Sequence, residues 1–178
     1  MKIIYTKFEG LKIYKKKKHT DKRGYLIETY NEDFVKTKSF LEIVTKSKKN
    51  VLRGLHFQKK FQQIKFISVL KGEIIDISVD LRVKSKTFGK FFKIKLSEKN
   101  CFSLLIPKGF AHGYYSTAEE SLVHYKCSTK RYPKDEYSLD FFDKKLKIKL
   151  PFTQKINLSD RDKNSMTFSD FQKKIKTL

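Results

Sequence analysis

The sequence predicts an all-β sandwich or barrel with short helical additions. Apolar and polar residues alternate at period two over many short segments, turn signals recur between them, and few windows show a helical period. With 39% hydrophobic and 14% aromatic residues in 178, there is enough apolar side chain for one domain's core despite 34% charged residues. In chain order, Lys2–Phe8, Leu11–Tyr14 and Leu41–Thr45 read as strands. Ile64–Leu70 and Glu73–Leu81 form a pair about the Lys71-Gly72 turn, and Phe91–Leu96, Leu122–Cys127 and Leu146–Leu150 follow. A helix fits Asn31–Lys36, where Asn31 can cap, and another fits near Ser159–Phe171. No linker, repeat or low-complexity block divides the chain, so residues 1–178 are expected to be one domain with a helical segment at about 159–178.

Composition excludes several classes. Cys101 and Cys127 are too few for a disulfide scaffold and lack the CxxC spacing of a zinc or thiol-redox site. No apolar run approaches the roughly 20 residues of a membrane helix, and the first ten residues carry charges where a leader would be apolar. A cytoplasmic protein without a membrane partner is expected. The formal net charge of +22 invites a nucleic-acid reading. Against it, only five of the 41 basic residues are arginine, at 23, 53, 82, 131 and 161, and the lysines are dispersed. Dedicated phosphate and base readers favour the arginine fork, so no specific nucleic-acid partner is expected.

Four stretches place polar chemistry inside strand-like sequence. In Val51–Gln58, strict alternation puts Arg53, Leu55 and Phe57 on one face and Gly54, His56 and Gln58 on the other. Ile106–Gly113 reads as a Pro-x-Gly turn entering a strand that bears His112. His124–Cys127 sets Tyr125 in an apolar-alternating strand, and Leu158–Asp162 has the look of a helix N-cap. Taken singly, each also fits a surface arginine, a hydrogen-bonded core histidine or a simple cap.

Together they resemble the dTDP-4-dehydrorhamnose 3,5-epimerase family, over about residues 3–165. Arg53-Gly54-Leu55-His56-Phe57-Gln58, Lys65, Gly72–Asp76, Gly109–Gly113, Tyr125–Cys127 and Leu158–Asp162 occur in that family's order, with Arg23–Glu28 and Thr87–Gly89 as weaker matches. The resemblance implies a cupin-type jelly roll that epimerises carbons flanking the ketone of a nucleotide-linked 4-keto-6-deoxy sugar without a cofactor. Proton abstraction next to a ketone needs a base titrating near neutrality, the property of an imidazole at about 6.5 when unperturbed. By resemblance His56 is that base, Asp162 its orienting carboxylate, Lys65 the partner of the enolate oxygen with His112 beside it, and Tyr125 the acid on the opposite face. Asp76 would orient His112 or Lys65. Arg53 and Arg23 would meet the diphosphate, Glu28 the nucleotide, and Arg161 the substrate. The resemblance also implies a homodimer in which an N-terminal strand segment, about 1–15, is exchanged so that Arg23–Glu28 reaches the partner's site.

A metal-dependent cupin is the natural rival, but His56-Phe57-Gln58 lacks the second His of a metal pair, so no metal is expected. A departure bears on specificity: where the family carries a polar Gln-x-Asn pair, this chain has Leu41 and Ile43. A dTDP-hexose and a GDP-linked heptose both remain open as substrates. A 3,4-ketoisomerase or a non-catalytic nucleotide or nucleic-acid binding module is the alternative.

Overall fold

The period-two segments fold into two packed antiparallel sheets. The structure, a computed structural model, describes residues 1–35, 39–151 and 155–176. The strands are β1 (Lys2–Tyr5), β2 (Lys12–Lys15), β3 (Lys18–Asp21), β4 (Gly24–Ile27), β5 (Leu41–Lys48), β6 (Leu52–Gln58), β7 (Lys65–Lys71), β8 (Glu73–Asp80), β9 (Phe91–Ser97), β10 (Phe102–Ile106), β11 (Phe110–Ser116), β12 (Glu120–Cys127) and β13 (Glu136–Ser138). Two short helices, α1 (Asp160–Lys163) and α2 (Phe168–Lys176), lie near the C-terminus. A six-stranded sheet runs β1-β2-β10-β7-β12-β5 and a five-stranded sheet runs β13-β6-β11-β8-β9, while β3 and β4 form a separate ribbon. This is the jelly-roll sandwich. Among the described residues no helix is long and apolar enough to cross a membrane.

The five-stranded sheet is buried on both faces, which is why β8 and β11 show almost no exposed position. On β8, Ile74 joins the core between the sheets, with Ile67, Leu104, Tyr114 and Val123. Ile77 and Val79, one residue out of phase, face a second core closed by the C-terminal segment through Phe141, Leu146, Phe168 and Phe171. Burial of such side chains contributes roughly 1.5–3 kcal/mol each before entropy is charged. The C-terminal segment is thus a third layer over the β6–β11–β8 surface.

Several local expectations give way. Leu146–Leu150 is not a strand: Lys147 has φ 54°, and the apolar alternation of Leu146, Ile148 and Leu150 serves docking onto the second core instead. The Lys2–Phe8 segment stops pairing at Tyr5, where Thr6 Oγ1 bonds Leu11 O at 2.9 Å and turns the chain into β2. Asn31–Val35 forms a turn, with Asn31 Oδ1 accepting the Asp33 N–H at 3.0 Å, and Lys36 of the expected helix lies outside the described residues. The Ser159–Phe171 helix is two helices interrupted around Ser165, whose neighbour Met166 bridges to Leu139. Within the chain, the 1–15 segment pairs in cis, β1 on β2 and β2 on β10.

Candidate active site

One pocket of about 270 Å³ opens between the two sheets. Its walls come from β5 (Leu41, Ile43, Thr45), β7 (Lys65) and β12 (Tyr125, Cys127) on one side, and from β6 (Arg53, His56) and β11 (His112) on the other. Arg131, Glu136 and Arg161 complete it. Strict alternation had set Arg53 and His56 on opposite faces, and the structure corrects this. Between the paired residues His112↔His56 and Tyr114↔Arg53, β6 advances three residues while β11 advances two. The extra residue lets both side chains reach the pocket. Gly54 sits at this irregularity with φ +110°, and a Cβ there would come within 2.6 Å of Gly113 Cα and His112 O. Only glycine fits.

Two imidazoles are each backed by a buried aspartate. His56 Nε2 lies 2.6 Å from Asp162 Oδ1, a contact closed across 106 residues, and Ser159 Oγ donates to Asp162 Oδ2 at 2.8 Å. Burial pushes the Asp162 carboxyl up, but the bonds from His56, Ser159 and the Gly54 N–H outweigh it and hold it below its ordinary value. An ionised Asp162 can only accept, so His56 donates from Nε2, and it is the Nδ1 side of the ring that is left for proton transfer. His112 Nε2 lies 2.7 Å from Asp76 Oδ2 on the neighbouring β8, and Asp76 Oδ1 has no hydrogen-bond partner among the described residues. Burial pushes His112 down despite Asp76, which favours a neutral ring. Of the two neighbours expected for Asp76, it is His112 that it hydrogen-bonds.

The facing wall is tuned the same way. Burial pushes the Lys65 ammonium down, opposed by Cys127, Glu136 and Asp76. Burial, reinforced by Tyr114 and Asp76, holds the Tyr125 phenol well above its usual value, so it stays protonated throughout the physiological range. Tyr125 and His112 meet edge-to-face at 5.9 Å between ring centroids. The Arg53 guanidinium is fixed by Ser47 Oγ at 2.9 Å and Lys46 O at 3.1 Å, both from β5. A carboxylate-backed imidazole on one sheet therefore faces a protonated phenol and a buried lysine on the other, an arrangement suited to moving a proton across a bound ring.

Comparison with known proteins agrees. Residues 5–170 match the profile of the family described as dTDP-4-dehydrorhamnose 3,5-epimerase. The chain is 35% identical to the enzyme of that name from Methanothermobacter thermautotrophicus over 92% of each chain. It is 36% identical to the Salmonella typhimurium enzyme over 91% of this chain and 92% of that one. The crystal structure of a Legionella pneumophila dTDP-6-deoxy-D-glucose-3,5-epimerase in complex with dTDP-4-keto-L-rhamnose superposes with TM-score 0.90 at 35% identity, covering 95% of this chain and 93% of that one. The chain belongs to the dTDP-4-dehydrorhamnose 3,5-epimerase family. It is an epimerase of the isomerase class.

In this epimerase, eight of the ten expected site residues gather at the pocket: six line it, and Asp162 and Asp76 stand behind the two imidazoles. Arg23 and Glu28 do not. Arg23 pairs with Asp21 at 2.6 Å on the exposed β3–β4 turn, and Glu28 follows β4 at the surface. Sequence reasoning missed Thr45 and Glu136. Thr45 had a readable signal, the same parity as Leu41 and Ile43 on β5. Glu136 had none, lying in a lysine-rich run where a carboxylate looks like solvated charge.

Proposed function

We propose that the epimerase inverts C3, C5 or both in a nucleotide-linked 4-keto-6-deoxy sugar, with a dTDP-hexose as the first candidate, in a cytoplasmic pathway to surface polysaccharide. The observation that carries this reading is the His56–Asp162 pair on one sheet facing Tyr125 on the other. His56 Nδ1 takes the proton from the carbon next to the ketone, and the electrons move onto the C4 oxygen. Lys65 donates to that developing enolate oxygen, with the Asp76-held His112 beside it, a contribution as large as that of the base. Tyr125 then delivers its phenolic proton to the opposite face and recovers one from solvent, His56 releases the proton it took to solvent, and the same groups serve both carbons. Arg53 meets the anionic part of the substrate. No step calls for a cofactor or metal. The relatives are named for dTDP sugars, and the Legionella protein is described with one bound.

The reading includes a homodimer. Tyr25 and Leu26 are 54% and 64% exposed on a ribbon that packs into neither sheet, and an exposed apolar ribbon is a segment a second copy would cover. Arg23 and Glu28 on that ribbon would then serve the partner's pocket.

Incubation with dTDP- and GDP-linked 4-keto-6-deoxy sugars in deuterated water, followed by proton NMR, tests the reaction. Deuterium should enter at C3, C5 or both with inversion. Exchange at neither carbon, or migration of the ketone from C4 to C3, would overturn the proposal.

A further inference from the structure

A four-residue helix is too short to hold itself, yet α1 presents Asp162 to His56 at hydrogen-bond distance. Its flanks are tied by backbone: Asn157 bonds Leu52 and Asn50 at 3.0 and 2.9 Å, and Met166 bonds Ser138 and Asp140 at 3.0 and 2.9 Å. Midway between those tethers the side chain preceding Asp162 reaches the body of the protein. Arg161 Nη1 donates to Glu136 Oε2 at 2.9 Å and Nε to Ser138 Oγ at 3.2 Å. Glu136 and Ser138 are the two ends of β13, and Ser138 is the cross-strand partner of His56 itself. The base and the anchor of its carboxylate's neighbour thus share one ladder.

We propose that Glu136 and Ser138 are positioning residues that latch the dyad, holding Arg161 on β13 so that Asp162 stays on His56. The inference rests on the epimerase reading above. Glu136 suits the role because its side chain is 14% exposed and also accepts from Arg131 Nε at 2.9 Å. Burial pushes its carboxyl up, but Arg161 and Arg131 more than reverse this, so it stays charged and the pair is stronger than a surface contact. Arg161 Nη2 is buried without a hydrogen-bond partner among the described residues, so the fork is held by the two contacts on β13. Displacement of a positioned group by about 1 Å can lower a rate on the order of 10²-fold.

The test is a double-mutant cycle in kcat, with the ring titration of His56 read by NMR in the absence of substrate. Glu136→Gln, Ser138→Ala and Arg161→Lys should each lower kcat, Glu136→Gln by on the order of 10- to 10²-fold, with KM changed far less. Each should lose most of its effect in an Asp162→Asn background, because the lever it works through is gone. Glu136→Asp should recover part of the loss. Ser138→Ala and Arg161→Lys keep the charge count, so a fall in the His56 titration midpoint in either reports loss of Asp162 contact. The other charged or titratable groups around His56 are unchanged in them: Arg53 on β6, His112 on β11, Lys65, Tyr125 and Cys127 across the pocket, and Glu136 and Arg131 at its edge. Should Glu136→Gln fail to fold, these two variants carry the test alone. Effects that fall on KM and add fully to Asp162→Asn, with an unmoved His56 titration, would show that Arg161 binds substrate directly and overturn the latch. A wild-type protein that inverts neither carbon would instead sink the functional reading, while the NMR titration still judged the latch.

Discussion

Asp80 and Asp162 are two buried aspartates held ionised by the same physics, and they do opposite jobs. Asp80 accepts from Arg82 Nε and Nη2, from the Arg82 N–H, and from Ser85 and Thr87 hydroxyls at 2.6–3.0 Å. All its donors lie within seven residues. Asp162 also takes a hydroxyl and a backbone N–H, but its basic partner is 106 residues away. The first arrangement builds a turn, and every donor that reaches the carboxylate comes from that turn. The second fastens a third layer to a sheet and backs a histidine that lines the pocket. A carboxylate network closed on its own loop shapes a turn, whereas one closed across the fold behind a pocket histidine suits the proposed site.

The largest expected effects are on the second network. His56→Asn keeps volume and removes the base, so deuterium exchange at both carbons should fall by about 10²–10⁴-fold. Asp162→Asn, which favours the wrong tautomer, should lower kcat by at least about 10²-fold. Thermal unfolding of both variants should stay within a few degrees of wild type. Asp80→Asn should do the reverse, leaving kcat of the folded enzyme unchanged while destabilising it by about 2 kcal/mol, since a partly buried Arg82 loses its counter-charge. If Asp80→Asn lowered kcat in fully folded protein, the division between the two networks would be wrong.

Tyr125→Phe sharpens the site half of the comparison. It removes only the phenol, so abstraction by His56 should survive better than inversion. Solvent exchange should outrun product formation by on the order of 10-fold or more. Equal loss of both would assign Tyr125 to packing or to the enolate oxygen.

How far each network was legible follows from its span. The Asp80 turn lies within a stretch whose strand and turn signals are local, and so do most of the strands: β7, β8, β9 and β12 stand close to where alternation placed them. The strands missed, β3, β4, β10 and β13, are three to five residues long, too short to alternate convincingly. Arg53 was set on the wrong face because parity counting does not see the extra residue at Gly54. The His56–Asp162 contact has no local trace at all: Ser159 to Asp162 reads as a plain N-cap, which it also is. Only resemblance joined the two. Glu136 escaped even that, because its role depends on β13 pairing with β6.

Acid should separate the networks again, by a smaller amount. Burial alone would raise the Asp80 carboxyl, but the bonds from Arg82, Ser85 and Thr87 hold it at about 2 against an ordinary 3.8. A folded-state value below the unfolded one means the stabilisation is complete above about pH 4 and is lost as pH falls toward 2. That component is about 2 kcal/mol. Acid titration of unfolding free energy should show it in wild type and not in Asp80→Asn. An unchanged acid limb in the variant would mean that the carboxylate's hydrogen bonds do not depend on its charge.

The smallest effect concerns charges that belong to neither network. If the dispersed lysines behind the net charge of +22 draw in an anionic diphosphate, that pull is open to salt, because exposed charges are screened beyond about 8 Å at physiological ionic strength. Raising salt should therefore lower kcat/KM by a few-fold while leaving kcat and the wild-type unfolding midpoint nearly constant, because the buried pairs feel little screening. Duplex DNA should bind only at the roughly 10⁻⁴–10⁻⁶ M of non-specific contact. Arg53→Lys should lower kcat/KM more than removal of any single surface lysine, since Ser47 and Lys46 hold the Arg53 fork in a fixed geometry that an ammonium does not reproduce. A kcat/KM indifferent to salt would reduce the lysines to solvation. Nanomolar, sequence-specific DNA binding would require a second use of the surface that neither carboxylate network serves.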